Sequence, residues 1–174
     1  NSSLKETAQK MIEKKIRRLP IYESGKVVGI LTTADLIRYL PETPEAMHPW
    51  FEVDYFMSKD VITADEETTV EDTAKIMGEK SIGSVIITHH GKPKGIFTER
   101  DLLTKFLAKD QSLKIEVGKM CSAPLITAPL EISIHKAAAI MTSKHIKRLP
   151  ITKDGKLVGI LSARDLIEAY ARTK

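Results

Sequence analysis

One eight-residue pattern is written three times: GILTTADL at 29–36, GIFTERDL at 95–102 and GILSARDL at 159–166. Internal repetition constrains a fold more than composition does. Each copy must adopt the same supersecondary unit and bury its apolar face against a neighbour. The likeness runs well beyond the eight letters, aligning 2–40 with 68–107 and 132–171. Gly29, Gly95 and Gly159 are 66 and then 64 residues apart, and Ile16, Ile82 and Ile146 keep the same spacings. No insertion therefore falls between them.

Each copy predicts the same elements in the same order. A helix comes first, with apolar residues at helical spacing: Leu4, Ala8, Met11 and Ile12, then Val70, Ala74 and Met77, then Ile134, Ala138 and Met141. A short strand follows (RRLPIY, GSVIIT, KRLPIT). A turn carrying Gly25, Gly91 or Gly155 leads into a second strand (VVGIL, PKGIF, LVGIL). Two apolar strands around a short glycine loop spell a β-hairpin. A hydroxyl residue then opens a second helix, expected over Asp35–Tyr39, Asp101–Leu107 and Asp165–Ala171. Copies two and three also have a lead-in, FMSKDVITADEE (56–67) and KMCSAPLITAPLE (119–131), in which a short strand is expected near Thr63 and Thr127. Copy one has no such lead-in, which points to a truncated or partly unseen N-terminus.

The expected organisation is a partial repeat at 1–40, a proline-rich linker at 41–50, and complete repeats at 51–110 and 111–174 that pair with one another. Pro41, Pro44 and Pro49 each remove a backbone donor, which discourages a helix through the linker. A unit of about 60 residues is small for independent stability, so each copy should pack on another. The incomplete copy should then pair with upstream sequence or with a second chain.

The recurring hydroxyl–x–x–aspartate has two explanations, and both stand. Thr32, Thr98 and Ser162 can act as helix N-caps, with Asp35, Asp101 and Asp165 completing a capping box and facing the positive helix end. The preceding glycine sits in a strand, where it permits close approach by a ligand or by another backbone. A helix start with spare N–H groups also suits an anion.

Strand–helix–strand–strand–helix repeats ending in G-h-x-[S/T]-x-x-D resemble cystathionine-β-synthase (CBS) domains, which occur as tandem pairs. The resemblance covers nearly the whole chain. It implies a mixed α/β fold in which two repeats pack through their strands as a pseudo-twofold pair, with clefts that take AMP, ADP, ATP or S-adenosylmethionine. It implies that the motif hydroxyl meets phosphate and the motif aspartate meets ribose, which assigns Thr98 with Asp101, Ser162 with Asp165, and Thr32 with Asp35. Residues just before the first hairpin strand line such clefts: Arg17 and Arg18, Gly83 and Ser84, Lys147 and Arg148. I-R-R-L-P and I-K-R-L-P look like the phosphate-contacting stretch in the gamma subunit of AMP-activated protein kinase. The middle copy has no cation at 83–84, so unequal clefts are expected. The lead-ins, Val61, Ile62 and Thr63 and then Leu125, Ile126 and Thr127, would supply the slot for the base.

Composition narrows the function classes. With 27 basic against 23 acidic residues the net charge is +4, and there is no long run of like charges. That charge does not call for a polyanion, and aromatic residues are too few, at 5%, for a base-stacking surface. Nucleic acid is therefore not expected as a partner. The one cysteine, Cys121, can form neither an internal disulfide nor a thiolate zinc site. No apolar run reaches the ~20 residues that span a bilayer, and a cytoplasmic location is expected. His89 and His90 fall in a hairpin turn that the other copies fill with unrelated polar pairs, which argues against a metal. Ala137, Ala138 and Ala139 suit a close helix contact, and Trp50 would anchor the linker. No nucleophile recurs near Glu99, Arg100 and Asp101, so no enzyme activity is expected. The functional expectation is a regulatory sensor of an adenosine ligand, needing no other cofactor. It would form a homodimer or pair with an upstream repeat, and would act on an enzyme or channel. The alternatives are a structural dimerisation or partner-docking module with empty clefts, or a nucleic-acid-binding CBS protein.

Overall fold

The computed structural model describes residues 2–38 and 52–172. The expected linker 41–50, Trp50 and the end of the expected helix at Tyr39 lie outside the described residues. All three copies fold as helix, hairpin, helix. Copy one has α1 (Leu4–Glu13), β1 (Arg18–Glu23), β2 (Lys26–Thr32) and α2 (Thr33–Arg38). Copy two has β3 (Thr63–Asp65), α3 (Val70–Glu79), β4 (Ser84–His89), β5 (Lys92–Thr98) and α4 (Glu99–Asp101). Copy three has β6 (Ala128–Pro129), α5 (Ile134–Ser143), β7 (Arg148–Lys153), β8 (Lys156–Ser162) and α6 (Ala163–Arg172).

The helix boundaries have identifiable causes. Ser3, Thr69 and Ser133 cap α1, α3 and α5 by accepting the N–H of the third helical residue. The same helices stop at Lys15, Ser81 and His145, each in the left-handed region at φ 53°, 52° and 53°. The next N–H in each copy bonds back: Ile16 to Met11, Ile82 to Met77 and Ile146 to Met141. This is the Schellman stop, made here without glycine. Ser24–Gly25, His90–Gly91 and Asp154–Gly155 all have positive φ at both residues. That is the geometry of a two-residue type I′ turn, whose twist matches the strands it joins.

The lead-in strands form slightly later than expected, at Thr63–Asp65 and Ala128–Pro129. Ala64 and Ala128 are the residues buried there, while Val61, Ile62 and Leu125 are half-buried and Ile126 is exposed. β3 runs parallel to β4, and β6 parallel to β7, so copies two and three have three-stranded sheets ordered β3-β4-β5 and β6-β7-β8. Copy one has the hairpin β1-β2 alone. Its second helix is expected to resemble the other two, yet copy two departs most. Only one α turn (Glu99–Asp101) forms there, followed by a π turn at Leu102–Phe106 and a 3-10 turn at Leu107–Lys109. Phe106, the last residue of the wide turn, is fully buried and meets Phe97 edge-on at 6.1 Å.

The chain forms two compact units. One spans Asn1–Lys59, Ala128–Lys153 and Gly159–Lys174, and its core is helical: α1 and α2 pack on α6, and α2 also meets α5. Ala8, Met11, Leu36, Ile37, Leu166 and Ile167 are buried there, as are Ala137 and Ala138 of the alanine run, whereas Ala139 is exposed. The other spans Asp60–Thr127 and Asp154–Val158, and its core includes Val70, Met77, Val85, Ile87, Phe97, Phe106 and Val117.

Candidate ligand site at the hydroxyl–aspartate motif

In every copy the fold brings the start of the hairpin to the start of the last helix. The Thr33 N–H donates to the Arg17 carbonyl at 3.1 Å, Glu99 to Gly83 at 3.2 Å, and Ala163 to Lys147 at 3.0 Å. Arg18 also pairs with Thr32 across β1-β2, and Ser84 with Thr98 across β4-β5. The residues expected at the phosphate therefore lie beside the motif of their own copy. The lead-in triplets lie on strand edges. Ile62 accepts the Ile86 N–H at 3.1 Å, Thr63 pairs with Ile86, and the Leu125 N–H donates to the Lys94 carbonyl at 3.1 Å.

The three motifs differ in how much of the aspartate is already used. In copy one the Thr32 N–H and hydroxyl both donate to Asp35 Oδ2, at 2.9 and 2.7 Å, and these bonds lower the carboxyl pKa. In copy two Thr98 does the same to Asp101 Oδ2, at 3.0 and 2.6 Å, while Lys105 Nζ takes Oδ1 at 2.7 Å. Both oxygens of Asp101 are engaged. Burial pushes its carboxyl up, but Lys105 and Thr98 outweigh that and hold it below the usual range. In copy three the Ser162 N–H donates to Asp165 Oδ2 at 2.7 Å. The position that holds Lys105 in copy two is Ala169 in copy three. No ion pair to Asp165 forms among the described residues. Burial raises the Asp165 carboxyl above its ordinary value, against the pull of Ser162.

The full capping box forms in copies one and two, and in copy three Asp165 accepts the Ser162 N–H. Asp35 and Asp165 are both half-buried, and neither has an oxygen held by a lysine among the described residues, but only Asp165 has its carboxyl raised by burial. A family model described as CBS domain matches residues 1–42, 52–108 and 117–172. The chain belongs to the CBS-domain family.

An uncharacterized protein of Methanopyrus kandleri is 36% identical over 113 residues, which is 63% of this chain and 58% of that relative. The chain therefore matches a little over half the length of that relative. The crystal structure of an uncharacterized conserved protein from Pyrococcus horikoshii superposes with a TM-score of 0.79 at 28% identity, covering 98% of this chain and 76% of that one. The CBS domain pair of protein MJ0100, solved in complex with 5′-methylthioadenosine and S-adenosyl-L-methionine, gives a TM-score of 0.62 at 28% identity, covering 68% of this chain and 94% of that one.

The strand glycine of the CBS motif is explained by a close approach of backbone. A Cβ on Gly95 would lie 2.7 Å from the Ser122 carbonyl oxygen and 2.8 Å from Cys121 Sγ. A Cβ on Gly159 would overlap the Met57 sulfur. Each glycine makes room for a lead-in segment. Arg17 also lines a hollow of about 80 Å³ with Lys15, Thr33 and Arg164, above Ile12 and Ile167.

His89 pairs with Glu66, which also holds Lys94. No cluster with metal-ligand composition occurs among the described residues, and no described helix is long and apolar enough to cross a membrane.

Proposed function

We propose that the chain is a non-catalytic sensor module in which copy three holds an adenosine-type ligand, a nucleotide or S-adenosylmethionine, at the start of α6. The unspent carboxylate oxygen of Asp165 carries this reading. An ionised carboxylate accepts from both ribose hydroxyls, and the Ser162 hydroxyl, which also bonds to Asp165, would turn from it to donate to a phosphoryl oxygen. Lys147 and Arg148 stand beside the same helix start and supply positive charge. The ligand class is supported by the related pair solved with 5′-methylthioadenosine and S-adenosylmethionine. A ligand so held regulates an enzyme or channel only through its difference in affinity for two arrangements of the protein. A homodimer inside the cell is the setting in which it would act.

Copy two is the weakest site in this scheme, because Asp101 is occupied by Lys105 and Gly83 and Ser84 carry no charge. Thr32 and Thr98 spend their hydroxyls on Asp35 and Asp101. Those spent hydroxyls favour a second reading, a docking scaffold in which the motif only caps helices.

Calorimetric titration with AMP, ADP, ATP and S-adenosylmethionine separates the two. Losing a charged acceptor costs about 1.5–3 kcal/mol, so Asp165→Asn should weaken binding roughly 10- to 100-fold. Asp101→Asn should leave affinity near that of the wild type. Binding of none of the four ligands, or binding indifferent to Asp165, leaves only the scaffold.

A further inference from the structure

The hollow where α1 meets α6 has a chemistry that the hydroxyl–aspartate motif does not use. It measures about 80 Å³ and is lined by Lys15, Arg17, Thr33 and Arg164. The rest of its lining is hydrocarbon: Met11 and Ile167 are buried beneath it, Ile12 is half-buried and Ile16 lies at the rim. The backbone fixes these walls. Lys15, at φ 53°, ends α1 and turns the chain so that the Ile16 N–H returns to the Met11 carbonyl at 3.0 Å. The Thr33 N–H then holds the Arg17 carbonyl at 3.1 Å, which sets those two residues side by side. Arg164 arrives from copy three, in the first turn of α6 and ahead of Ile167.

Three cations share this hollow and no acidic residue lines it. Lys15, Arg17 and Arg164 form no ion pair among the described residues, and Arg164 acts on the adjacent Asp165 only through space. Like charges around one hollow repel, and an anion placed between them reverses the sign. A guanidinium takes a carboxylate by two parallel bonds. Against the hydrocarbon half, the oxygens of a compact ion such as phosphate would lose water without gaining partners. An anionic head on a short aliphatic stem satisfies both halves. Size sets the limit, since 80 Å³ exceeds the ~10–15 Å³ that one water needs but falls well short of the roughly 300 Å³ of a pocket for a larger molecule. No whole nucleotide fits. Where α5 meets α2, the equivalent residues are Thr142 for Ile12, His145 for Lys15, Ala163 for Thr33 and Ala34 for Arg164. The repeated scaffold alone therefore does not dictate this lining.

We propose that this hollow binds a short aliphatic carboxylate, its head between Arg17 and Arg164 and its stem against Ile12 and Ile167. The site does not depend on Asp165 and takes a different class of ligand from the one proposed for copy three. Its walls come from copies one and three, so an occupant ties α1 to α6 and stabilises the folded state by mass action.

The test uses the 174-residue chain with isotope-labelled isoleucine methyl groups, titrated with acetate, propionate and butyrate at constant ionic strength. Saturable shifts at Ile12, Ile16 and Ile167 are expected, with affinity rising about fourfold for each methylene buried. Arg17→Met and Arg164→Met alter exposed side chains without threatening the fold, and each should weaken butyrate about 10-fold. Lys109→Met, which removes an exposed cation of the other compact unit, should change nothing. The proposal is overturned by an absence of saturable shifts, by affinity that is flat along the series, or by binding that survives both arginine changes. It is equally overturned if inorganic phosphate binds more tightly than every carboxylate, if Lys109→Met weakens butyrate as much as the arginine changes do, or if Ile37 and Ile146 shift as strongly as Ile12 and Ile167.

Discussion

The Asp101 and Asp165 carboxylates occupy the same motif position, yet their pKa values move in opposite directions, so pH should act on them with opposite sign. Asp101 is held below its ordinary value, which means the folded state prefers its ionised form. Its contribution is present above the unfolded value of about 3.8 and fades as pH falls toward the lower folded value. Asp165 is raised, so the folded protein binds its proton more readily than the unfolded chain does. Stability then declines as pH rises from about 3.8 through the folded value, and at neutral pH the half-buried charge is a standing cost. Asp101→Asn removes a charged acceptor from Thr98 and turns the amide toward Lys105. A lost cap costs about 1 kcal/mol and a partly exposed ion pair a few tenths more, together about 1–2 kcal/mol at pH 7. Asp165→Asn relieves the standing cost and should leave stability equal or higher at pH 7. Urea denaturation of the wild type and both variants between pH 3 and pH 8 measures this directly. Equal destabilisation by both variants at neutral pH would refute the reasoning, because the Asp165 charge would then support its cap as strongly as the Asp101 charge does.

Two further substitutions follow from packing and turn geometry. Phe106→Ala empties a fully buried site edge-on to Phe97 and should cost about 3–5 kcal/mol, read as a lower urea midpoint. His90 sits at φ 48° in the first position of a type I′ turn, where asparagine is better suited, so His90→Asn should raise thermal stability by about 0.5 kcal/mol.

Much of the scaffold was legible because three copies constrain one another. Helix spacing, hairpin order and the glycine turns repeat in register, and the structure carries them at the expected places. The Schellman stops were not legible, since Lys15, Ser81 and His145 share no residue type that announces a left-handed residue. The disrupted second helix of copy two was equally hidden: GIFTERDL reads like its two relatives, and the π turn lies just beyond it. At the candidate site, sequence identified the motif pairs and their neighbours before the first hairpin strand, which the backbone bonds do bring together. It did not reveal Lys105. That residue matters only through its distance to Asp101, and nothing in the motif marks the position four residues later.

That position decides what the motif is free to do. A hydroxyl–aspartate pair at a helix start always satisfies backbone N–H groups first, because those donors are part of the fold and a ligand is not. What remains for a ligand is the second carboxylate oxygen, and the next turn of the helix determines whether it remains. In copy two a lysine reaches back and takes it; in copy three an alanine cannot. Within one chain, the same repeated letters therefore support a closed structural cap and an open acceptor. Exchanging the two residues, Lys105→Ala with Ala169→Lys, should move the open carboxylate from Asp165 to Asp101 without altering the motif itself.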